Sequence, residues 1–163
     1  MLRTKELIVL TICLLLFGCN SSANQAGVVV ASENTLPANF DEIAYEKEAF
    51  HYYVRKAEND LQFEDLWHLY GFAQQKPDID FNETDIFFIG IQESSSCPYK
   101  VENIEDNFNE DQLIISISEP EGACTADASP RTFVLQVDKA ISKEVKRLII
   151  NQNGVDREVP FSN

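Results

Sequence analysis

Residues 85–91 read DIFFIGI, and this nearly unbroken apolar run constrains the fold more than any other stretch of the chain. A strand with one bare face alternates apolar and polar side chains, whereas a continuous run marks a strand covered on both faces. The segment from Thr84 to Ile91 therefore reads as a central strand with packed material on either side. Further strand patterns come after it. Tyr99 to Ile104 is a weaker strand, and Leu113, Ile115 and Ile117 alternate with Ile114, Ser116 and Ser118 as in a half-buried one. Phe133, Leu135 and Val137 repeat that alternation, and Val145–Ile150 and Val155–Val159 flank Asn153-Gly154, a strong hairpin signal.

Upstream, Phe63, Leu66, Trp67 and Tyr70 fall at i, i+3, i+4 and i+7, one apolar face of a helix, with Asp60 as its cap and Gly71 as its stop. On that face Trp67 reads as core. Residues 49–57, AFHYYVRKA, alternate as a strand, with a helix over 41–57 as the rival reading. Strands joined by short turns predict an α+β domain, a curved antiparallel sheet with one packed amphipathic helix, over residues 40–163.

The chain opens with Arg3 and Lys5, then runs from Leu7 to Phe17 without a charge. Spanning a bilayer as a helix takes about 20 apolar residues, so this run has the length of a secretory signal. It ends in Leu16-Phe17-Gly18-Cys19 and turns polar at once. That junction resembles the lipobox of bacterial lipoproteins. The resemblance implies a signal peptide over residues 1–18, cleavage before Cys19, and a diacylglyceryl group on the Cys19 thiol. Two or more fatty chains hold a protein stably on a membrane, at about 0.8 kcal/mol per buried methylene. A membrane association of this kind needs no spanning helix. Residues 19–39 are small and polar apart from Val28-Val29-Val30, and read as a flexible tether.

The formal charge of the 163-residue chain is −14, and the first 18 residues carry more cations than anions, so the chain from Cys19 onward is more acidic still. With no basic stripe, nucleic acid is excluded as a partner. Of the four cysteines, Cys13 leaves with the signal and Cys19 takes the lipid, leaving Cys97 and Cys124 in a compartment where disulfides persist. A disulfide is the expected pairing. The competing metal reading lacks C-x-x-C spacing, and a catalytic thiol wants a neighbouring histidine, of which the chain has only His51 and His68. The string Asp78–Asp85 begins like a calcium loop but carries Glu83 at the required glycine and Ile89 at the bidentate glutamate, so it reads as a solvated turn. Ser94, Ser95 and Ser96 lack a nucleophile elbow, and no phosphate-cradling or dinucleotide fingerprint is present. The expected protein is not an enzyme and takes no cofactor or metal. A small serine hydrolase is the reading from a different class.

The segments ESSSCPYK (93–100) and EGACTADASPRTF (121–133) sit at strand ends and would be joined by the disulfide. Stapled loops on a rigid sheet are a common place for recognition. Ser95, Ser96, Tyr99 and Arg131 form the candidate contact surface, Arg131 either paired with a carboxylate such as Asp127 or facing a ligand. A plain structural staple is the alternative. The helix with Trp67, Ile79-Asp80-Phe81, the apolar strand, the polar turn ending in Tyr99 and the strand Phe133–Val137 together resemble the C-terminal domain of the PrcB (protease complex subunit) family, over about residues 62–139. Where that family often has a T-G-G-Y turn, this chain has Ser95-Ser96-Cys97-Pro98-Tyr99 and keeps only the tyrosine. The resemblance implies an accessory or stabilising subunit of a surface protease. The expectation from residues and resemblance together is a lipid-anchored, extracytoplasmic binding module for an envelope protein or other ligand in the cell envelope.

Overall fold

A computed structural model describes residues 25–46 and 52–162. The apolar leader, Cys19, residues 20–24 and His51 lie outside the described residues. The elements in order are β1 (Gly27–Glu33), α1 (Phe40–Glu46), β2 (Tyr52–Ala57), α2 (Asp60–Leu69), β3 (Thr84–Glu93), β4 (Lys100–Asn107), β5 (Gln112–Ser118), β6 (Ser129–Asp138), α3 (Lys139–Ser142), β7 (Arg147–Gln152), β8 (Val155–Val159) and β9 (Phe161–Ser162). Of the described residues within 41–57, 41–46 are helical and 52–57 form a strand, so each reading of the sequence holds for one part.

The α+β class is what the chain adopts, with its strands divided between two sheets. One is five-stranded in the order β1-β6-β3-β2-β9, and the other four-stranded in the order β4-β5-β7-β8. Most pairs are antiparallel, but β2–β9 and β5–β7 run parallel. The β5–β7 pair is reached by a crossover through β6 and α3, since parallel neighbours cannot be joined by a tight turn.

Two apolar cores account for the unbroken run in β3. Phe87, Ile89 and Ile91 face the four-stranded sheet and pack with Ile104, Leu113, Ile115, Leu148 and Ile150. Ile86 and Phe88 face the other way, against Phe63, Leu66, Trp67 and Tyr70 of the helical layer. Ile86 to Ile89 are all buried, as a strand between two layers requires. At Gly90 an added Cβ would come within 2.7 Å of Leu36 Cδ2 and 3.2 Å of Tyr70, so the glycine lets the helical layer close on the sheet.

The α2 helix shows the local logic. Its N-cap is Asn59, one residue before the expected Asp60, with extended backbone and Oδ1 accepting from Gln62 N at 3.0 Å. At the other end Gly71 has φ of +74°, its N–H donates to His68 O, and Phe72 N–H donates to Trp67 O. That pair of bonds is a Schellman motif. Its apolar clasp is present as well: the Trp67 and Phe72 rings stack at 4.3 Å between centroids. The β7–β8 turn likewise has positive φ at Asn153 and Gly154, as its sequence requires.

The tether expectation needs correcting. Residues 27–33 form an edge strand antiparallel to β6, and Ala26 is buried in the core between the sheets. Val30, Ala31 and Leu36 pack on the helical side, Phe40 is buried there, and the folded unit begins before residue 40. Small, polar composition concealed a strand whose β-branched Val28-Val29-Val30 run was the available signal. Among the described residues, no helix is long and apolar enough to cross a membrane.

Candidate functional site

At the far end of β3 the chain turns through residues 94–99, and β5 leads into β6 through residues 119–128. Cys97 and Cys124 join these two loops in a disulfide, with Cα atoms 5.6 Å apart. Among the described residues, the one cluster with metal-ligand proximity is Cys97, Glu119 and Cys124. Its two sulfurs are bonded to each other and so are not thiolate donors.

Asp127 organises the rim. Its carboxylate accepts from Ser95 N at 3.1 Å, from Ser129 Oγ at 2.8 Å and from Thr125 Oγ1. These donors, Thr125 foremost, hold its pKa well below the usual carboxylate range. Thr125 Oγ1 also meets Ser94 Oγ at 2.9 Å and Ser96 Oγ at 3.1 Å, while Thr125 N donates to Ser96 Oγ at 2.9 Å. The three serine hydroxyls are therefore parts of a loop-to-loop network. His68 lies on the exposed face of α2 and pairs with Glu64 at 3.5 Å, apart from those serines.

Beneath the rim lies an ion pair between buried Glu93 and half-buried Arg131. Arg131 Nε and Nη2 each lie 2.8 Å from Glu93 Oε1, while Tyr99 N donates to Glu93 Oε2 at 2.6 Å. Arg131 thus pairs with a carboxylate as one of its readings held, but the partner is Glu93, with Asp127 taken up by the loops. Glu93 is reached because it continues the inward stripe of β3: Asp85, Phe87, Ile89, Ile91, Glu93. Arg131 likewise continues the stripe Phe133, Leu135, Val137 on β6, and the strands align Ile91 with Arg131.

The loops and the β7–β8 hairpin enclose a cleft of about 360 Å³. Tyr52, Tyr99, Glu119, Asp127, Gln152 and Arg157 contribute to its walls. Tyr52 donates its hydroxyl hydrogen to Gln152 Oε1, and Gln152 also hydrogen-bonds Tyr99. Burial pushes the Tyr52 hydroxyl up to about 12, against the pull of Arg157. Burial also raises Tyr99, opposed by its Gln152 hydrogen bond and reinforced by the carboxylates of Glu119 and Glu93. Both phenols remain donors at neutral pH. Of the residues named from sequence, Tyr99 lines the cleft, Ser95 and Ser96 stand exposed at its rim, and Arg131 anchors its base.

Sequence reasoning did not find Tyr52, Glu93, Gln152 or Arg157. For Glu93 and Tyr52 the signal was strand phase, an acid or a phenol in register with apolar neighbours. Gln152 and Arg157 had none, since only the tertiary pairing of β7 and β8 beside β5 brings them to these loops. At the opposite end of the β3 stripe, Asp85 closes the string once weighed for calcium. Asp80 Oδ1 accepts from Asn82 N at 2.9 Å, making the expected turn, while Asp85 is buried between Lys56 at 3.0 Å and Lys139 at 3.3 Å. No protein-family model matches the chain, and neither a curated protein nor a solved structure matches it.

Proposed function

We infer that the chain is a non-enzymatic binding module, held outside the cytoplasm by lipid on Cys19, whose contact surface is the stapled rim and the cleft beneath it. One observation carries the reading. Two loops are tied by the Cys97–Cys124 disulfide and by the Thr125–Asp127 network, and they rest on the ion pair of buried Glu93 with Arg131. Ordering loops before contact removes a conformational cost that binding would otherwise bear. The side chains left for a partner are exposed Ser95 and Ser96, half-buried Tyr99 and exposed Arg157, a mixture suited to a polar protein surface. Chemistry on the serines finds little support. Their hydroxyls are engaged with Thr125, and a carboxylate held as acidic as Asp127 is a poor general base. The lipobox supports the location, and the resemblance to the protease-complex family makes an envelope protein the expected partner.

The test places a photo-crosslinking residue at Ser95 in intact cells, with the same residue at exposed Leu61 on α2 as the control. A discrete protein adduct should form from position 95 and not from position 61. In the Cys19→Ala background the protein should leave the membrane fraction and the adduct should fall away. Equal adducts at both positions, or none at 95, would overturn the contact surface. Full membrane retention of Cys19→Ala would overturn the anchor.

A further inference from the structure

Strand phase turns Asp106 inward. On β4 it comes two positions after buried Ile104, and across the pair it aligns with Leu113, a fully buried member of the core between the sheets. The residue as a whole is half-buried, yet both carboxylate oxygens are closed off from solvent, and among the described residues neither accepts a hydrogen bond. A buried carboxylate is ordinarily paired or hydrogen-bonded, and an orphaned one points to a ligand that supplies the missing donors. The neighbouring cations do not supply them. Lys146 pairs with Asp111 at 2.7 Å, Arg147 with Glu110 at 3.6 Å, Lys143 with Glu144 at 4.0 Å, and Lys139 with Asp85 at 3.3 Å.

Asp106 lines a cavity of about 220 Å³. Phe108, Ile141 and Val145 form its apolar wall, the last two half-buried against the core, and the exposed carboxylates of Asp111 and Glu144 also border it. It sits at one end of β4, while Tyr99, just before the strand's other end, belongs to the stapled cleft about 20 Å away.

We propose that this cavity takes an alkylammonium group, with its nitrogen on the Asp106 carboxylate and its methylene stem along Phe108, Ile141 and Val145. The donor set selects that class. A hard divalent cation needs several oxygens converging on one point. Among the described residues, Asp106, Asp111 and Glu144 do not reach metal-ligand proximity with one another. The three carboxylates repel an anion. One carboxylate with apolar walls instead suits an ammonium on a hydrocarbon stem, whose charge meets the oxygens while the stem stays covered. The volume is below the about 300 Å³ at which pockets for larger ligands begin, and fits one group the size of a side chain. Reaching the oxygens takes a side-chain movement in the wall, and Phe108, 62 % exposed, has solvent beside it for one. A lysine side chain of another protein and a free alkyl diamine both present this chemistry.

The acylated full chain, purified from membranes in detergent and isotopically labelled on nitrogen, is titrated at neutral pH with acetyl-lysine amide, with cadaverine, and with acetyl-norleucine amide, which has a stem without the ammonium. The two amines should move the amide signals of Asn107, Phe108 and Val145 saturably and leave Ser95 and Thr125 unmoved, and the norleucine compound should do nothing. Asp106→Asn should weaken both amines about tenfold, the loss of one charge-assisted hydrogen bond. Because that variant removes a carboxylate with no partner in the fold, it should keep the parent's urea midpoint or raise it, unlike a variant of paired Asp85. Tighter binding of the lysine amide identifies a protein lysine as the occupant, and tighter binding of cadaverine a free amine. Equal shifts from the norleucine compound, no saturable shift from either amine, or an Asp106→Asn midpoint lowered as far as that of Asp85→Asn overturns the site.

Discussion

Asp85 and Glu93 close the two ends of the β3 stripe that faces the sandwich interior, and each is buried beside a cation. Lys56, itself 5 % exposed, lies in the corresponding stripe of β2, after Tyr52 and Val54. Strand phase carried the direction of these positions, but their acidic or basic character masked it, and Asp85 reads from sequence as part of a solvated turn; their partners had no local signal, because pairing depends on register across strands. Burial opposes the charge on Asp85, but hydrogen bonds from Ser142 and Lys56, with the Lys56 and Lys139 charges near it, outweigh that and hold its pKa below the ordinary 3.8. Removing one partner of a buried pair costs about 3–5 kcal/mol, since the other is left uncompensated. Asp85→Asn should therefore lower the unfolding free energy by about 3 kcal/mol at neutral pH, read from urea midpoints. The sign with pH comes from the direction of the shift. A carboxyl depressed in the folded state contributes fully above its unfolded value and loses that contribution as pH falls through its folded one. The deficit of the variant should shrink in acid, and an unchanged deficit well below the ordinary value would remove Asp85 from the acid response.

Elements carried by their own periodicity were legible: α2 from its apolar face, β3 from its unbroken run, the β7–β8 hairpin from Asn153-Gly154. Their division into two sheets was not. Neighbours such as β5 and β7, or β1 and β6, meet across long sequence separations, and nothing local to either strand names its partner. The disulfide belongs at this scale, since it joins the end of β3 to the loop before β6. It closes a separation of 27 residues, worth about 3.5 kcal/mol when its effect is counted as lost freedom of the unfolded chain. The double substitution Cys97→Ala/Cys124→Ala should lower stability by about that amount, and far-ultraviolet circular dichroism should stay near that of the parent because the two apolar cores are built without the disulfide. Amide exchange should rise at Ser95 and Thr125, whose N–H groups are held across the two loops. Unchanged exchange there would mean that Asp127 and the serines hold the rim without the sulfur bridge.

For the molecule as a whole, the decisive element is the strand that sequence composition disguised as a tether. β1 covers the edge of β6 and joins both cores, with Ala26 between the sheets and Val30 and Ala31 under the helical layer. The chain continuing from it also fastens α2. Glu33 accepts from the backbone of Ala73 at 3.1 Å, Thr35 donates to Tyr70 O at 2.7 Å, and Thr132 donates to Thr35 O at 2.6 Å. A spacer would make none of these contacts and could be removed without loss. Deleting β1 would expose apolar side chains on both faces of the five-stranded sheet and leave the backbone of β6 unpaired along one side. A chain beginning at Gln25 should therefore unfold cooperatively at the same urea midpoint as one beginning at Cys19. A chain beginning at Leu36 should show a collapsed midpoint or no cooperative transition at all. Equal midpoints for all three would return residues 27–33 to the role of a leash.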